Sequence, residues 1–424
     1  MASAALDHAK SRSWYQRIFA GNGLLWFLYF VLILASLITV SSAISSEYYK
    51  SISRGGLNPI LKHSLMLVIG VASAIVMSML SGKAYRYVLP RVSTLVMVLL
   101  FIAQIVLGHS ANGAERWINL GFITIQPAEF LRVYMVIWGA FVAGKDQEED
   151  PRKVKNYALY WLRILIFSVF VMLGNLSTFL IFLAFLYLYS WVLKAPKRFM
   201  YWVSGIGGIL AALFALYILF APESLLVGRT LTWHNRIHGA LTEQTDRFAI
   251  TDANRQEQMG RMAIANSQLI GRGPGKSKMR DSLSLAYSDY LYAIIIEEYG
   301  ILGLLFIPSL YFCWMFFAYR EARKQTNVYR SNLIKGFGIL YPLQALVNMI
   351  VASGVITTGQ TLPLISYGGS SIIATSMAFG IMIGASRVDK PKRVEAPIEE
   401  AVAEEVPLEA EEVEPNEDEQ IDTL

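Results

Sequence analysis

Glu129 and Arg132 stand three residues apart, directly after Gln126-Pro127-Ala128. On a helix that spacing puts both on one face, close enough to pair. Pro127 suits the first turn of such a helix. The residues that follow are apolar, and a charged pair inside an apolar helix marks either a functional site or an ion pair that fixes the helix start. Just upstream lies Asn112-Gly113-Ala114-Glu115-Arg116-Trp117-Ile118-Asn119. Arg116 offers a phosphate contact, and Trp117 an interfacial anchor or a substrate contact. A second stretch contains Gln256 and then Gly271-Arg272-Gly273-Pro274-Gly275-Lys276-Ser277-Lys278. A nucleotide-binding loop would need glycine where Ile270 stands, so that reading is rejected. The glycines could still bring backbone N–H groups to a pyrophosphate, with Lys276, Ser277 and Lys278 beside them. Tyr287-Ser288-Asp289 follows, where the next apolar run begins. A carboxylate at a helix start serves as a cap, a general base or the ligand of a divalent cation. Glu297 and Glu298 would lie about 12 Å deeper on that helix, and two acids there need partners. The third stretch, Thr357 to Ser371, is uncharged, rich in hydroxyls and turn formers, and includes Ser366 and Tyr367. It is too long for a plain turn and reads as a re-entrant segment. His234 and His238 are four residues apart, with no third metal ligand evident.

The elements that position these residues are membrane helices. The chain has 424 residues, 54% hydrophobic and only 16% charged. A soluble domain would carry about 25% charge. Apolar runs long enough to cross a bilayer recur at 22–43, 63–80, 92–108, 127–144, 157–174, 177–194, 199–221, 289–318, 333–355 and 371–386. The expected fold is an all-α integral membrane protein of about ten spans. Its organisation would be a short N-terminal segment (1–21), a membrane domain (22–388) with a large outer loop (222–288), and an acidic tail (389–424). The N-terminus is polar and mildly basic, so no cleavable leader is expected. The single Cys313 excludes a disulfide framework. With the N-terminus inside, the inner segments hold 22 Lys and Arg and the short outer loops only four, Lys50, Arg54, Lys62 and Arg116. Both ends are therefore expected in the cytoplasm. From Glu395 onward the tail has thirteen acids and no Lys or Arg, so the net charge of +5 hides a strongly basic membrane body. The tail's composition predicts disorder. The body suits an anionic membrane surface or an anionic lipid-linked substrate, and no nucleic-acid partner is expected.

Taken together, the motifs resemble the shape, elongation, division and sporulation family of membrane glycosyltransferases, which includes FtsW, RodA and SpoVE. The resemblance runs from about Leu24 to Arg387. It rests on Asn112-Gly113-Ala114 with Arg116-Trp117-Ile118, Gln126-Pro127 and Glu129. It rests further on Gly273-Pro274-Gly275 with Ser277, then Ser288-Asp289, Glu297-Glu298 and Gly300, and on Leu362-Pro363 with Ser366 to Ser371. Gln256 matches a glutamine of the family pattern. Departures are Arg132 where the family often has Lys, Asn175 where an Asp is common, Tyr287-Ser288 for a His-Thr pair, and Met259 for a second glutamine. The resemblance implies outward-facing polymerisation of a disaccharide-pentapeptide on undecaprenyl pyrophosphate, known as lipid II, at the inner membrane. It implies a class B penicillin-binding protein and other division proteins as partners. The outer motifs favour the division branch. Asp289 is then the candidate base or metal ligand, with Arg116, Trp117, Glu129, Arg132, Gln256, Lys276, Ser277, Lys278, Ser366 and Tyr367 as candidate substrate contacts. A lipid II transporter and a non-catalytic division scaffold are the rival readings.

Overall fold

The structure is a computed structural model that describes residues 19–44, 58–111, 114–119, 124–145, 153–174, 176–222, 230, 234, 250, 254–283, 286–355 and 358–387. The acidic tail, Asn175, His238 and most of the segment from 223 to 253 lie outside the described residues.

Helices α1 (Gly23–Ala43), α2 (Pro59–Met79) and α3 (Leu89–Leu107) come first, α3 being preceded by a π-helical turn, Ala84–Val88. Three short strands follow: β1 (Gly108–Ala111), β2 (Ala114–Asn119) and β3 (Thr124–Ile125). They form an antiparallel sheet in the order β1-β2-β3. Then come α4 (Pro127–Lys145), α5 (Lys153–Gly174), α6 (Leu176–Val192), α7 (Lys197–Phe220), α8 (Arg255–Ala265), α9 (Leu291–Lys324), α10 (Val328–Ala352) and α11 (Gly369–Ala385). A helix thus lies on each of the ten expected segments, and α8 and the sheet are additions. Seven of the helices are long and apolar enough to cross a membrane, counting the π-turn and α3 as one; α4, α6 and α11 fall short of that measure. The chain is a multi-pass membrane protein.

Local chemistry explains the helix starts. Asn22 and Asn58 accept the N–H groups of Leu24 and Ile60 at 2.7 and 2.9 Å, capping α1 and α2. Pro127 is the first residue of α4, where its missing N–H costs nothing. The outer faces carry large apolar side chains such as Phe27, Val68, Leu99, Leu210 and Leu305, as contact with lipid tails requires. Small residues pack the interior. A Cβ on Gly380 of α11 would stand 2.3 Å from Ala74 O of α2, so these helices meet backbone to backbone. Tyr29 of α1 closes the same seam by donating to Ser376 at 2.9 Å.

Helix α9 departs most from expectation. Gly300 sits at φ 59° and ψ −136°, a conformation essentially reserved for glycine. The chain folds back there. Tyr292 donates to Leu304 O at 2.9 Å, although in a straight helix twelve residues span about 18 Å. A Cβ on Gly303 would stand 2.7 Å from Ile295 O. The short first arm, 291–299, is almost wholly buried, whereas the second, 301–324, exposes Leu302, Leu305, Phe306 and Phe312. The expected single span 289–318 is therefore a re-entrant arm plus a full crossing. The depth order reverses as well. Glu298 meets Ser42 at the last turn of α1, so the acids lie at the bend, while Asp289 lies at the base of the arm.

Gly300→Ala would push a Cβ to 2.4 Å from Leu269 O and force a positive φ on alanine. It should cost at least roughly 1–3 kcal/mol. A clearly lower midpoint of thermal unfolding in detergent is the expected result.

Candidate active site

Three elements meet at the base of the re-entrant arm: the start of α4, the end of α10 and the loop 358–368. Arg132 lies on α4 and is 5% exposed. Its Nη1 meets Glu129 Oε2 at 2.6 Å, and its Nη2 donates to Gln360 Oε1 at 2.8 Å. The guanidinium also lies over the Phe182 ring at 5.5 Å. Gln360 passes the connection on, donating to Thr178 of α6 at 3.1 Å. Asn348 of α10 then donates from one nitrogen to Gln360 O at 2.6 Å and to Asp289 O at 2.9 Å. A continuous polar chain thus joins the predicted ion pair to the predicted base. The planar guanidinium fork reaches both of Arg132's neighbours at once.

Asp289 is held from the other side too. Ser288 donates to its Oδ1 at 3.0 Å. Ser366 donates to Ser288 O at 2.7 Å, and Tyr367 N to Tyr287 O at 2.9 Å. A Cβ on Gly359 would stand 3.2 Å from Asp289 Oδ2, so the glycine leaves the second carboxylate oxygen uncrowded. The residue is half-buried. Burial of its carboxyl pushes the pKa up to about 6, against the lowering effect of the Ser288 bond. A carboxylate tuned so is suited to take up a proton near neutral pH.

The glycine-rich loop does cradle an anion, but the anion is the protein's own. Glu297 is fully buried. Its carboxylate accepts from Ser277 Oγ at 2.5 Å, Lys278 N at 3.1 Å and Met279 N at 3.3 Å, with Arg272 Nε 3.7 Å away. Arg272 N and Gly273 N donate to the backbone of Glu297 and Glu298, and Gly275 N to Ser42. The backbone N–H groups expected to meet a pyrophosphate are thus committed within the protein. Ser277, expected as a substrate contact, is instead a loop anchor. The lysines on either side, Lys276 and Lys278, remain exposed.

Other expected contacts are placed as follows. Ser366 is 2% exposed, and its hydroxyl is used within the loop and on Ser288, so it latches the site rather than facing a ligand. Both sides of Arg132's fork are likewise occupied internally. Tyr367 is half-buried and packs edge-on against Tyr287 at 5.4 Å. Gln256 lies on α8, beside Gly260, where a Cβ would stand 3.0 Å from the Tyr290 ring. Trp117 lies exposed on β2, and Arg116 shares that strand. His234 meets Ile218 O at 2.6 Å. Among the described residues no group of three or more acids, histidines or cysteines could hold a metal. Asn348, Gln360 and Thr178 are absent from the sequence-based candidates. The signal for Asn348 was an amide within an apolar helix, where polar side chains are costly unless partnered.

A polytopic membrane bundle with a buried cation and a tuned carboxylate at one mouth matches one known class. The profile of the FTSW_RODA_SPOVE family, described as cell cycle protein, matches residues 22–391. The chain therefore belongs to the family of FtsW, RodA and SpoVE. A Caulobacter vibrioides protein named "Probable peptidoglycan glycosyltransferase FtsW" is 31% identical over 68% of this chain and 70% of its own length. One of the same name from Idiomarina loihiensis is 27% identical over 79% and 78%. Among solved structures, Thermus thermophilus RodA superposes with a TM-score of 0.58 at 22% identity, over 87% of this chain and 97% of its own. A chain of a peptidoglycan synthase complex, described as coordinating polymerization and crosslinking, gives 0.64 at 22% identity over 87% and 98%.

Because Glu129 and Arg132 are both buried, removing one should cost more than removing both. Arg132→Met alone should destabilise by about 3–5 kcal/mol, and Glu129→Gln added to it should recover part of that loss. Thermal unfolding of the two single variants and the double variant measures this.

Proposed function

We propose that this protein is a peptidoglycan glycosyltransferase that polymerises lipid II into glycan strands. The observation that carries the reading is Asp289: a carboxylate with a raised pKa, clamped from two sides, with one oxygen uncrowded. An acceptor sugar hydroxyl attacks the anomeric carbon of the lipid-linked chain. The C–O bond to undecaprenyl pyrophosphate breaks, and Asp289 takes the hydroxyl proton. The pyrophosphate needs positive charge. Since Arg132 is committed to Glu129 and Gln360, that charge falls to Lys276, Lys278 and Arg116. Arg132 and Glu129 position the site through Gln360 and Asn348. A divalent cation is the second role open to Asp289: one carboxylate with substrate phosphates suits magnesium.

The bundle would sit in the bacterial inner membrane as residues 22–388, with ten spans, the 222–288 segment outside, and both termini, including the acidic tail at 389–424, in the cytoplasm. Its names among relatives favour the division septum, a class B penicillin-binding protein as crosslinking partner, and other division proteins around the pair.

Purified protein, given lipid II with and without a cognate penicillin-binding protein, should form strands. Asp289→Asn keeps the shape and removes the base, so strand formation should fall at least about a hundredfold. Unchanged polymerisation by that variant would remove Asp289 from the mechanism. The wild-type rate should also follow the carboxylate's ionisation. Below about pH 6 the acid is protonated and the rate should fall about tenfold per unit; above it the rate should level off.

A further inference from the structure

His63 of α2 is 2% exposed, and nothing above uses it. Its Nε2 lies 2.9 Å from Ser36 Oγ of α1, which is fully buried. Ser36 has one hydroxyl hydrogen and donates it to Ile365 O at 2.8 Å. It must therefore accept from His63, which places a hydrogen on Nε2. Nδ1 is left buried without a partner among the described residues. A buried polar nitrogen without a partner is costly. The imidazole also stacks on Tyr367, centroids 5.6 Å apart and planes at 28°.

Ile365 and Tyr367 flank Ser366, the residue that donates to Ser288 O. The loop is thus strapped to α1 and α2 on one side and to residues 287–289 on the other. We propose that His63 and Ser36 are positioning residues for Asp289, acting through the loop 362–367. His63 supplies two separable holds, a hydrogen bond to Ser36 and a ring against Tyr367. The inference rests on the glycosyltransfer reading for its kinetic consequence but not for its structural one.

The test compares wild type with Ser36→Ala, His63→Phe and His63→Gln, all purified as the full chain. Phenylalanine keeps the ring and removes the donor; glutamine keeps an N–H donor at similar reach. Turnover of lipid II should fall about tenfold in Ser36→Ala and His63→Phe, with KM changed less than about twofold, as displacement of a reacting group predicts. His63→Gln should regain most of the turnover, and all three should keep their unfolding midpoint within a few degrees. Amide exchange at 362–367 should quicken in the first two variants and not in the third. Full turnover by His63→Phe and Ser36→Ala would overturn the proposal, and so would equal losses in all three with no change in exchange. Should wild type itself form no strands, the glycosyltransfer reading fails, and the exchange pattern alone decides whether His63 and Ser36 hold the loop.

Discussion

The constraint on which the site depends is the cost of a guanidinium inside a membrane bundle. Arg132 is buried two turns or less into α4, away from water. A cation there must be neutralised and its remaining donors satisfied, or the helix would not insert. Glu129, one turn back on the same face, meets the charge. Gln360, on a loop more than two hundred residues later, meets the second arm of the fork. That second bond draws the loop into the bundle and makes a distant segment part of the site.

From Gln360 the requirement propagates. An amide side chain has a donor and an acceptor, and both need partners when buried. Thr178 takes the amide donor, and Asn348 spans the backbone of Gln360 and Asp289. The backbone of Asp289 is therefore tied to a chain of hydrogen bonds that begins with a charge. The second acid pair works by the same physics at the opposite end of the re-entrant arm. Glu297 fills a nest of N–H groups that would otherwise attract an outside anion, and Glu298 ties the arm to the end of α1 through Ser42. The bend at Gly300 packs against residues 269–271, with Ile301 N donating to Leu269 O at 3.0 Å. The buried arm is thus anchored by hydrogen bonds at both of its ends.

Much of this was legible in the sequence. Hydropathy placed a segment on each of the helices except α8, because long apolar runs have few alternatives to a helix in lipid. Glu129, Arg132 and Asp289 were conspicuous as charges where charge is expensive. The fold-back of α9 was not legible. The apolar run resumes directly after Glu297-Glu298-Tyr299-Gly300, so the sequence reads as one span carrying two acids; the fold-back shows only in the backbone of Gly300 and its close approach to residues 269–271. The glycine loop misled for a related reason. Its composition announces an anion nest correctly, but composition cannot say that the anion comes from Glu297, twenty residues away. Ser277 and Ser366 likewise read as available hydroxyls until their partners are seen.

The central claim is that the polar chain from Arg132 sets the place of Asp289. The direct measurement is the rate of glycan strand formation by Asn348→Leu, a nearly isosteric change that cuts the chain at its last link without touching either charge. The account predicts a loss of about tenfold or more in turnover, with the bundle still folded and lipid II still bound. A variant that folds and polymerises at the wild-type rate would contradict it, leaving the chain as packing and Asp289 as positioned by Ser288 and Ser366 alone.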